Sequence, residues 1–277
     1  MVTLREIEVG ARPSKAWVGG EGETILLVHG GWGGAEMHWS RVWEPLARRF
    51  RVIAPELPGI GDRAQPGLAS FDAYADWLVQ LLGSLQAPRA WCVGNSFGAA
   101  VVWQLSGRLG ARCRGVVIVN GMAPFPVPPL VRRVLSTTPV RQLITRAYRR
   151  GAFAPRVVQR AYADPSLAPA ELTRVLAAPP RAQVELLRDL VLRGACPAPA
   201  PEIPMLVLWG EADRLPGTGR ARALRVQRSA PGAKLVFIPS AGHCPQMERP
   251  AEFVQALEGF VASAPAASSA AGTKIVS

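Results

Sequence analysis

Lysine is almost missing from this 277-residue chain: Lys15, Lys234 and Lys274 stand against a combined lysine and arginine total of 32. The positive charge therefore belongs to arginine, and it leaves a formal net charge of +12 and a pI near 10.8. A basic balance of that size invites a nucleic acid or an acidic membrane as partner. What would carry the nucleic-acid reading is absent: no run of five or more positive residues, and no zinc-finger, RNA-recognition or helix-turn-helix signature. Absent too is any apolar stretch of about 18 residues, as a membrane span requires. The N-terminal Met1-Val2-Thr3-Leu4-Arg5-Glu6 lacks the basic-then-apolar build of a signal peptide. Cysteine is sparse, and Cys92, Cys113, Cys196 and Cys244 include no C-x-x-C pair, so neither a disulfide framework nor a zinc site is indicated. The expectation is a soluble, cytoplasmic protein with no nucleic-acid partner and no integral membrane association.

What the chain does have is apolar residues, at 49%, with 19% charged, enough for a sizeable core in one elaborated domain or one domain with an insertion. Residues 2–9 and 13–18 read as short strands. Thr24-Ile25-Leu26-Leu27-Val28-His29 is continuously apolar, as a parallel strand covered on both faces would be. Further strands are expected at 51–55, 90–94, 114–119, 205–209 and 235–238, with helices at 35–49, 70–85 (Ser70 as its cap), after Ser96 (the run 99–105), at 218–229 and at 249–263. Strands alternating with helices at this spacing predict βαβ units and one mostly parallel sheet.

The alternation stops between 123 and 201, where the pattern is helical and proline-punctuated, with helices expected near 128–150, 154–163, 169–177 and 180–194. Between 125 and 200 there are 12 arginines against 4 acids, so this segment carries +8 of the net charge. Solvated helix faces are the ordinary explanation; attraction of an anionic substrate or surface is the sharper one. Pro197-Ala198-Pro199-Ala200-Pro201 reads as a stiff exit linker, and the alanine- and serine-rich residues 264–277 as a disordered tail.

The chemistry gathers around Gly94-Asn95-Ser96-Phe97-Gly98. An apolar strand leads into it and a helix-forming run follows, so Ser96 stands on a sharp strand-to-helix turn, facing the free N–H groups of a helix start. A serine hydroxyl needs a base, a carboxylate that orients the base, and donors for the oxyanion it creates. Of the three histidines, His29 precedes a glycine loop and reads as structural, and His38 lies on a helix where packing is its ordinary role. His243, in the turn after the last strand, is the candidate base. Asp213, in Trp209-Gly210-Glu211-Ala212-Asp213, is the candidate acid, with Glu211, Glu56 and Asp62 as rivals. Ser96, Asp213 and His243 each follow a strand end, and in a parallel sheet such loops open on one edge. The oxyanion donors expected are the N–H of Phe97 and one from His29-Gly30-Gly31-Trp32-Gly33-Gly34, Gly31 before Trp32. That loop matches no phosphate-binding pattern.

Together His29-Gly30-Gly31, Leu57-Pro58-Gly59-Ile60-Gly61, Gly94-Asn95-Ser96-Phe97-Gly98, Trp209-Gly210-Glu211-Ala212-Asp213 and Gly242-His243 resemble the α/β-hydrolase superfamily over nearly the whole chain. The resemblance implies an α/β fold with a mostly parallel eight-stranded sheet flanked by helices and a helical cap inserted after strand 6. The core would be residues 1–122 and 202–263, and the cap 123–201. It gives Ser96 the part of nucleophile, Asp213 of acid, His243 of base, and Gly31 and Phe97 of oxyanion donors. Glu56 stands where the family loop usually carries aspartate, and Asp62 follows in the same loop. Serine rather than aspartate at 96 argues against a dehalogenase or epoxide hydrolase of similar fold.

The expected activity is that of a cofactor-independent serine esterase acting on a small-molecule, apolar acyl ester. Trp32, Phe97, Met122 and Phe125 are candidates to line its pocket. Two alternatives stay open: a carbon–carbon bond hydrolase of the ring-cleavage-product type, which the Gly-Asn-Ser-x-Gly and His-Gly-Gly pieces also resemble, and a non-hydrolytic cyclase, oxygenase or receptor on the same scaffold.

Overall fold

The computed structural model describes residues 1–121, 127–194, 203–230 and 232–264. Its framework follows from the apolar runs. Thr24–Val28 (β3), Ala90–Asn95 (β5) and Met205–Gly210 (β7) are buried at every position. With Thr3–Val9 (β1), Arg12–Gly19 (β2), Arg51–Pro55 (β4), Cys113–Val119 (β6) and Lys234–Ile238 (β8) they form one eight-stranded sheet, ordered β1-β2-β4-β3-β5-β6-β7-β8. β2 alone runs against its neighbours, pairing antiparallel with β1 and β4; every other pair is parallel.

Successive strand residues point to opposite faces, which divides the core in two. Leu26, Val28, Cys92, Ile118 and Val207 pack with Phe71–Ser84 (α3), Phe97–Leu109 (α4) and Arg220–Arg228 (α10). Ile25, Leu27, Val93, Val117 and Leu208 face the other way, against Ala35–Trp39 (α1), Trp43–Ala47 (α2) and Pro250–Ser263 (α12). Ser70 caps α3 by accepting the Ala73 N–H at 3.1 Å. Cys92 and Cys113 meet within the first layer with their sulfurs 3.8 Å apart and remain free thiols.

Between β6 and β7 the described residues form Pro129–Leu135 (α5), Thr138–Ala152 (α6), Val158–Ala161 (α7), Ala170–Ala177 (α8) and Arg181–Arg193 (α9). A short helix missed in the sequence, Pro245–Glu248 (α11), follows the last strand. Two helices expected to be continuous are broken. The 35–49 stretch stops after Trp39 and restarts at Trp43, and the 128–150 stretch stops at Leu135 and restarts at Thr138. Both breaks sit four residues before a proline, Pro45 or Pro139, whose ring would meet the carbonyl of Arg41 or Leu135 if the helix ran on. The hydroxyls of Ser136 and Thr137 donate to the carbonyls of Arg132 and Val134, serving the helix end so exposed.

Met122, Phe125, the 197–201 linker and residues 265–277 of the tail lie outside the described residues. Among the described residues no helix is long and apolar enough to cross a membrane.

Candidate active site

β5, β6, β7 and β8 end side by side, so the loops after them open together at one edge of the sheet. Ser96 follows β5 directly, with φ of 53° and ψ of −110°. A side chain seldom adopts such a backbone, which costs on the order of 1–3 kcal/mol and is held by its surroundings. Here the Ser96 N–H donates to the Val119 carbonyl at 2.9 Å, tying the turn to β6. Gly98 completes it: a Cβ there would lie 2.2 Å from the Val28 carbonyl oxygen, so only glycine lets α4 sit against β3. Phe97 opens α4, and its N–H has no partner within the helix.

The candidate acid and base, 30 residues apart, meet in a buried hydrogen bond: His243 Nδ1–H donates to Asp213 Oδ2 at 2.7 Å. Asn120, at the end of β6, donates from Nδ2 to the same oxygen at 2.9 Å, and the Leu215 N–H donates to Asp213 Oδ1 at 3.0 Å. Burial opposes ionisation of Asp213, but the adjoining imidazole and these three donors outweigh it and hold the carboxyl below its usual range. Asn120 is in turn fixed by accepting the Gly210 N–H at 2.8 Å. Beside Ser96, the Asn95 amide donates to the carbonyls of Val119 and His243, at 3.1 and 3.0 Å, joining the serine turn to the histidine loop.

The rivals go elsewhere. Glu211 is exposed and pairs with Arg220 at 3.2 Å. Glu56 accepts from Trp17 Nε1 and the Ala35 N–H, both at 3.0 Å, and Asp62 caps its own loop through the Ala64 N–H.

The glycine loop lies beside the serine turn: a Cβ on Gly31 would stand 3.7 Å from that of Phe97. The carbonyl of Gly31 accepts a hydrogen bond from Gln183 Nε2 on α9 at 2.7 Å, and Arg63 holds the other end of that amide at 3.1 Å. Leu187, one helical turn on, sits over Gly31. Trp32 donates from Nε1 to the Ala152 carbonyl at 2.8 Å, with its ring 5.4 Å from that of His243. Phe97 turns its ring toward Phe71 and Tyr74. Met122 and Phe125, the other expected lining residues, are among the residues not described.

The histidine loop is also bound from above. His243 N–H donates to the Ala161 carbonyl at 2.5 Å, and the Arg214 N–H, beside the acid, donates to the Arg160 carbonyl at 3.0 Å. A Cβ on Gly242 would lie 2.1 Å from that Ala161 oxygen, so glycine before the histidine is a condition of this contact. Buried Glu248 accepts the N–H groups of Gly242 and Ala163, each at 2.7 Å, and of Asp164 at 3.4 Å.

Four residues here, Asn120, Gln183, Leu187 and Glu248, were not singled out from the sequence. Asn120 alone left a trace, as a polar residue closing an apolar strand; the others look like ordinary positions of amphipathic helices.

His29 and His38 are fully buried and hold the loops instead. His29 Nδ1–H donates to the Gly30 carbonyl at 2.8 Å while Nε2 accepts the Leu57 N–H at 2.9 Å, which fixes the neutral ring despite Glu56 at 4.0 Å. Burial lowers its pKa to about 4, with Arg63 adding to the effect. Burial and the neighbouring His29 lower that of His38 to about 3, although its ring hydrogen-bonds the Gly34 carbonyl at 2.9 Å.

A histidine whose folded pKa lies below its unfolded value of 6.5 stabilises the fold least in acid. Below that value the unfolded chain takes up a proton that the folded chain refuses. Between about pH 7 and pH 5, His38 should withdraw about 2 kcal/mol of stability. Glu56 and Glu248, whose carboxyls burial raises, act in the opposite sense above their ordinary 4.5. The measurement is therefore a difference: urea unfolding of wild type and His38→Gln at both pH values, with the variant losing less on acidification. Equal losses would show that the imidazole is not the group responsible.

Among the described residues no three His, Cys, Asp or Glu side chains gather as a metal would need.

The model of the alpha/beta hydrolase family matches residues 25–256. A stretch of 113 residues is 34% identical to the 2-hydroxymuconate semialdehyde hydrolase of Pseudomonas sp. (strain CF600), covering 39% of this chain and 40% of that protein. The chain thus spans well under half of that relative's length. Over 93% of the chain and 69% of the relative, it is 27% identical to the dihydrolipoyllysine-residue acetyltransferase component of the acetoin cleaving system of Pseudomonas putida. Among solved structures, a thermophilic esterase from Thermogutta terrifontis superposes with a TM-score of 0.71 at 25% identity, over 95% of this chain and 98% of that one. The meta-cleavage product hydrolase of Pseudomonas fluorescens IP01 shares the fold, with a TM-score of 0.70 at 22% identity over 92% and 96%. Sheet order, the strained serine turn and a family match over most of its length agree: the chain belongs to the alpha/beta hydrolase family.

Proposed function

We propose that the protein is a serine hydrolase that cleaves a carboxylic ester through an acyl-enzyme, with Ser96, His243 and Asp213 as its triad. The observation that carries this reading is the buried 2.7 Å hydrogen bond from His243 Nδ1 to Asp213 Oδ2, formed at the sheet edge where Ser96 holds its strained turn. With Nδ1 donating to the carboxylate, Nε2 has its lone pair free to take a proton.

His243 Nε2 removes the Ser96 proton as Oγ bonds to the ester carbonyl carbon, and the N–H groups of Phe97 and Gly31 receive the oxyanion. The tetrahedral adduct collapses, the C–O bond to the alcohol breaks, and the imidazolium gives its proton to the departing alkoxide. Water repeats the sequence on the acyl-serine, releasing the acid. Gln183 holds the Gly31 carbonyl from α9, which keeps the oxyanion loop in one orientation. The helices between β6 and β7 serve as a cap, and Leu187, against Gly31, and Trp32, its ring 5.4 Å from that of His243, supply apolar surface suited to an acyl chain.

A second reading has its own support. The 34% identity over 113 residues is to a hydrolase of 2-hydroxymuconate semialdehyde, so a carbon–carbon bond next to a carbonyl is the rival scissile bond. The two are separated by comparing kcat/KM for p-nitrophenyl butyrate with that for a vinylogous 1,5-diketone. Faster ester turnover is expected; faster diketone cleavage would transfer the assignment to the carbon–carbon class. A fluorophosphonate should in either case add its mass to the peptide bearing Ser96, and a protein left unlabelled would remove the nucleophile from both readings.

A further inference from the structure

We propose that the outer face of α5 and α6 docks this protein on an anionic phospholipid bilayer. The first observation is where apolar surface is left open. Of the seven large hydrophobic residues exposed among the described ones, four lie on these two helices: Leu130 at 75%, Leu143 at 66%, Val134 at 54% and Val131 at 46%. Leu130 and Val134 are four apart and Val131 and Val134 three apart, so on α5 they share one face. Neither helix has a single buried residue. An apolar face kept in water on two adjacent helices is a cost that a docking partner removes.

The second observation is the charge around that face. Residues 129–152 contain six arginines and no acid. Of the four carboxylates between 125 and 200, only Asp189 pairs with an arginine of these two helices. Asp164 caps Ser166, Glu171 faces Arg63 at 3.9 Å, Glu185 pairs with Arg181 at 2.8 Å, and Asp189 binds Arg141 and Arg188 at 2.9 and 2.8 Å. Arg132, Arg133, Arg146, Arg149 and Arg150 make no salt bridge with any described residue. Two clefts open among these arginines. One, of about 540 Å³, is lined by Arg132, Arg133, Arg141 and Arg193 against the single carboxylate of Asp189; the other, of about 530 Å³, by Arg141, Arg146, Arg149, Arg181 and Arg188 against that of Glu185, so arginine outnumbers carboxylate in both.

The occupant follows from meeting both demands at once. A nucleic acid or an acidic protein would answer the guanidinium groups and leave the leucines and valines in water. A neutral apolar partner would cover the side chains and strand the charges. The boundary of an acidic bilayer offers phosphates for the clefts and hydrocarbon for the apolar face within a depth of about 5–10 Å. Arginine suits this better than lysine, because its planar fork binds a phosphate through two donors. From the docked face, Arg188 reaches Thr145 on α6, and its helix α9 carries Gln183 and Leu187 to the Gly31 loop. The membrane would therefore lie one helix away from the serine turn.

The test is vesicle flotation of the full-length protein. Vesicles of phosphatidylcholine mixed about two to one with phosphatidylglycerol should carry at least about tenfold more protein than phosphatidylcholine alone, and about 1 M salt should strip most of it. The charge-neutral variant Leu130→Ser/Val134→Ser/Leu143→Ser should lose about tenfold of that binding, as should Arg132→Gln/Arg133→Gln/Arg149→Gln. All six positions are at the surface, and an unchanged thermal midpoint certifies the fold of each variant. Ser96→Ala should float like wild type, which separates docking from hydrolysis. Equal recovery with neutral vesicles, no recovery with the acidic ones, or full binding by the triple-serine variant would overturn the proposal. The last outcome would reduce the face to a general polyanion site, and competition by inorganic polyphosphate at equal charge would identify it as such.

Discussion

Ser96→Ala should lower kcat for p-nitrophenyl butyrate by about 10⁵- to 10⁶-fold, leaving only what the oxyanion donors and binding contribute. The neighbouring oxygens are otherwise occupied: Asp213 is committed to three donors, and the hydroxyl of Tyr74 is buried and donates to the Pro58 carbonyl. The substitution should not perturb the fold, because φ of 53° at position 96 is imposed by the Ser96 N–H to Val119 bond and by the packing of Gly98, which alanine leaves in place. Steady-state rates on protein freed of wild-type contamination check the first statement and a thermal melt the second. A variant retaining more than about a tenth of the activity would mean that Ser96 is not the nucleophile.

Asp213→Asn should cost about 10⁴-fold in kcat with little effect on KM. Both carboxylate oxygens act purely as acceptors: Oδ2 from His243 and Asn120, Oδ1 from Leu215. An asparagine must put its NH₂ on one side. Placed where Oδ2 was, it faces the Asn120 amide and turns the imidazole to the tautomer with the proton on Nε2, which has no lone pair for Ser96. Placed where Oδ1 was, it faces the Leu215 N–H, a buried donor against a donor. The measurement is kcat for the same ester across a pH series, in which the deficit should narrow as hydroxide takes over the base's work. Near-normal turnover at neutral pH would show that the carboxylate has no part in setting the tautomer.

The reach of the sequence was uneven for a physical reason. Strands covered on both faces announce themselves as unbroken apolar runs, so β3, β5 and β7 could be bounded within a residue or so from composition alone. Asp213 and His243 could be named because parallel strands bring the ends of distant loops to one edge, and their side chains do meet. Gln183 could not, because its partner is a backbone carbonyl 152 residues away, and a backbone acceptor leaves no mark in the code. The same holds for Glu248 and its three N–H donors. Pro45 and Pro139 did signal the helix breaks, but an amphipathic pattern continuing on either side concealed them. The excess of arginine between 125 and 200 is visible in any count, whereas which guanidinium groups stay unneutralised depends on where four carboxylates fold.

The bonds from Ala161, Arg160 and Glu248 redraw the boundary between the sheet scaffold and the proposed cap. By chain order, residues 160–164 travel with the helices that follow β6, yet they carry the backbone acceptors for His243 and Arg214 and share the Glu248 carboxylate with Gly242. Swinging that whole segment away like a hatch would pull the imidazole out of register with its carboxylate. With those helices as the proposed cap and His243 as the proposed base, admission of a guest molecule and readiness of the base would be linked, and the doorway would be left to the helices on either side of this fixed sill.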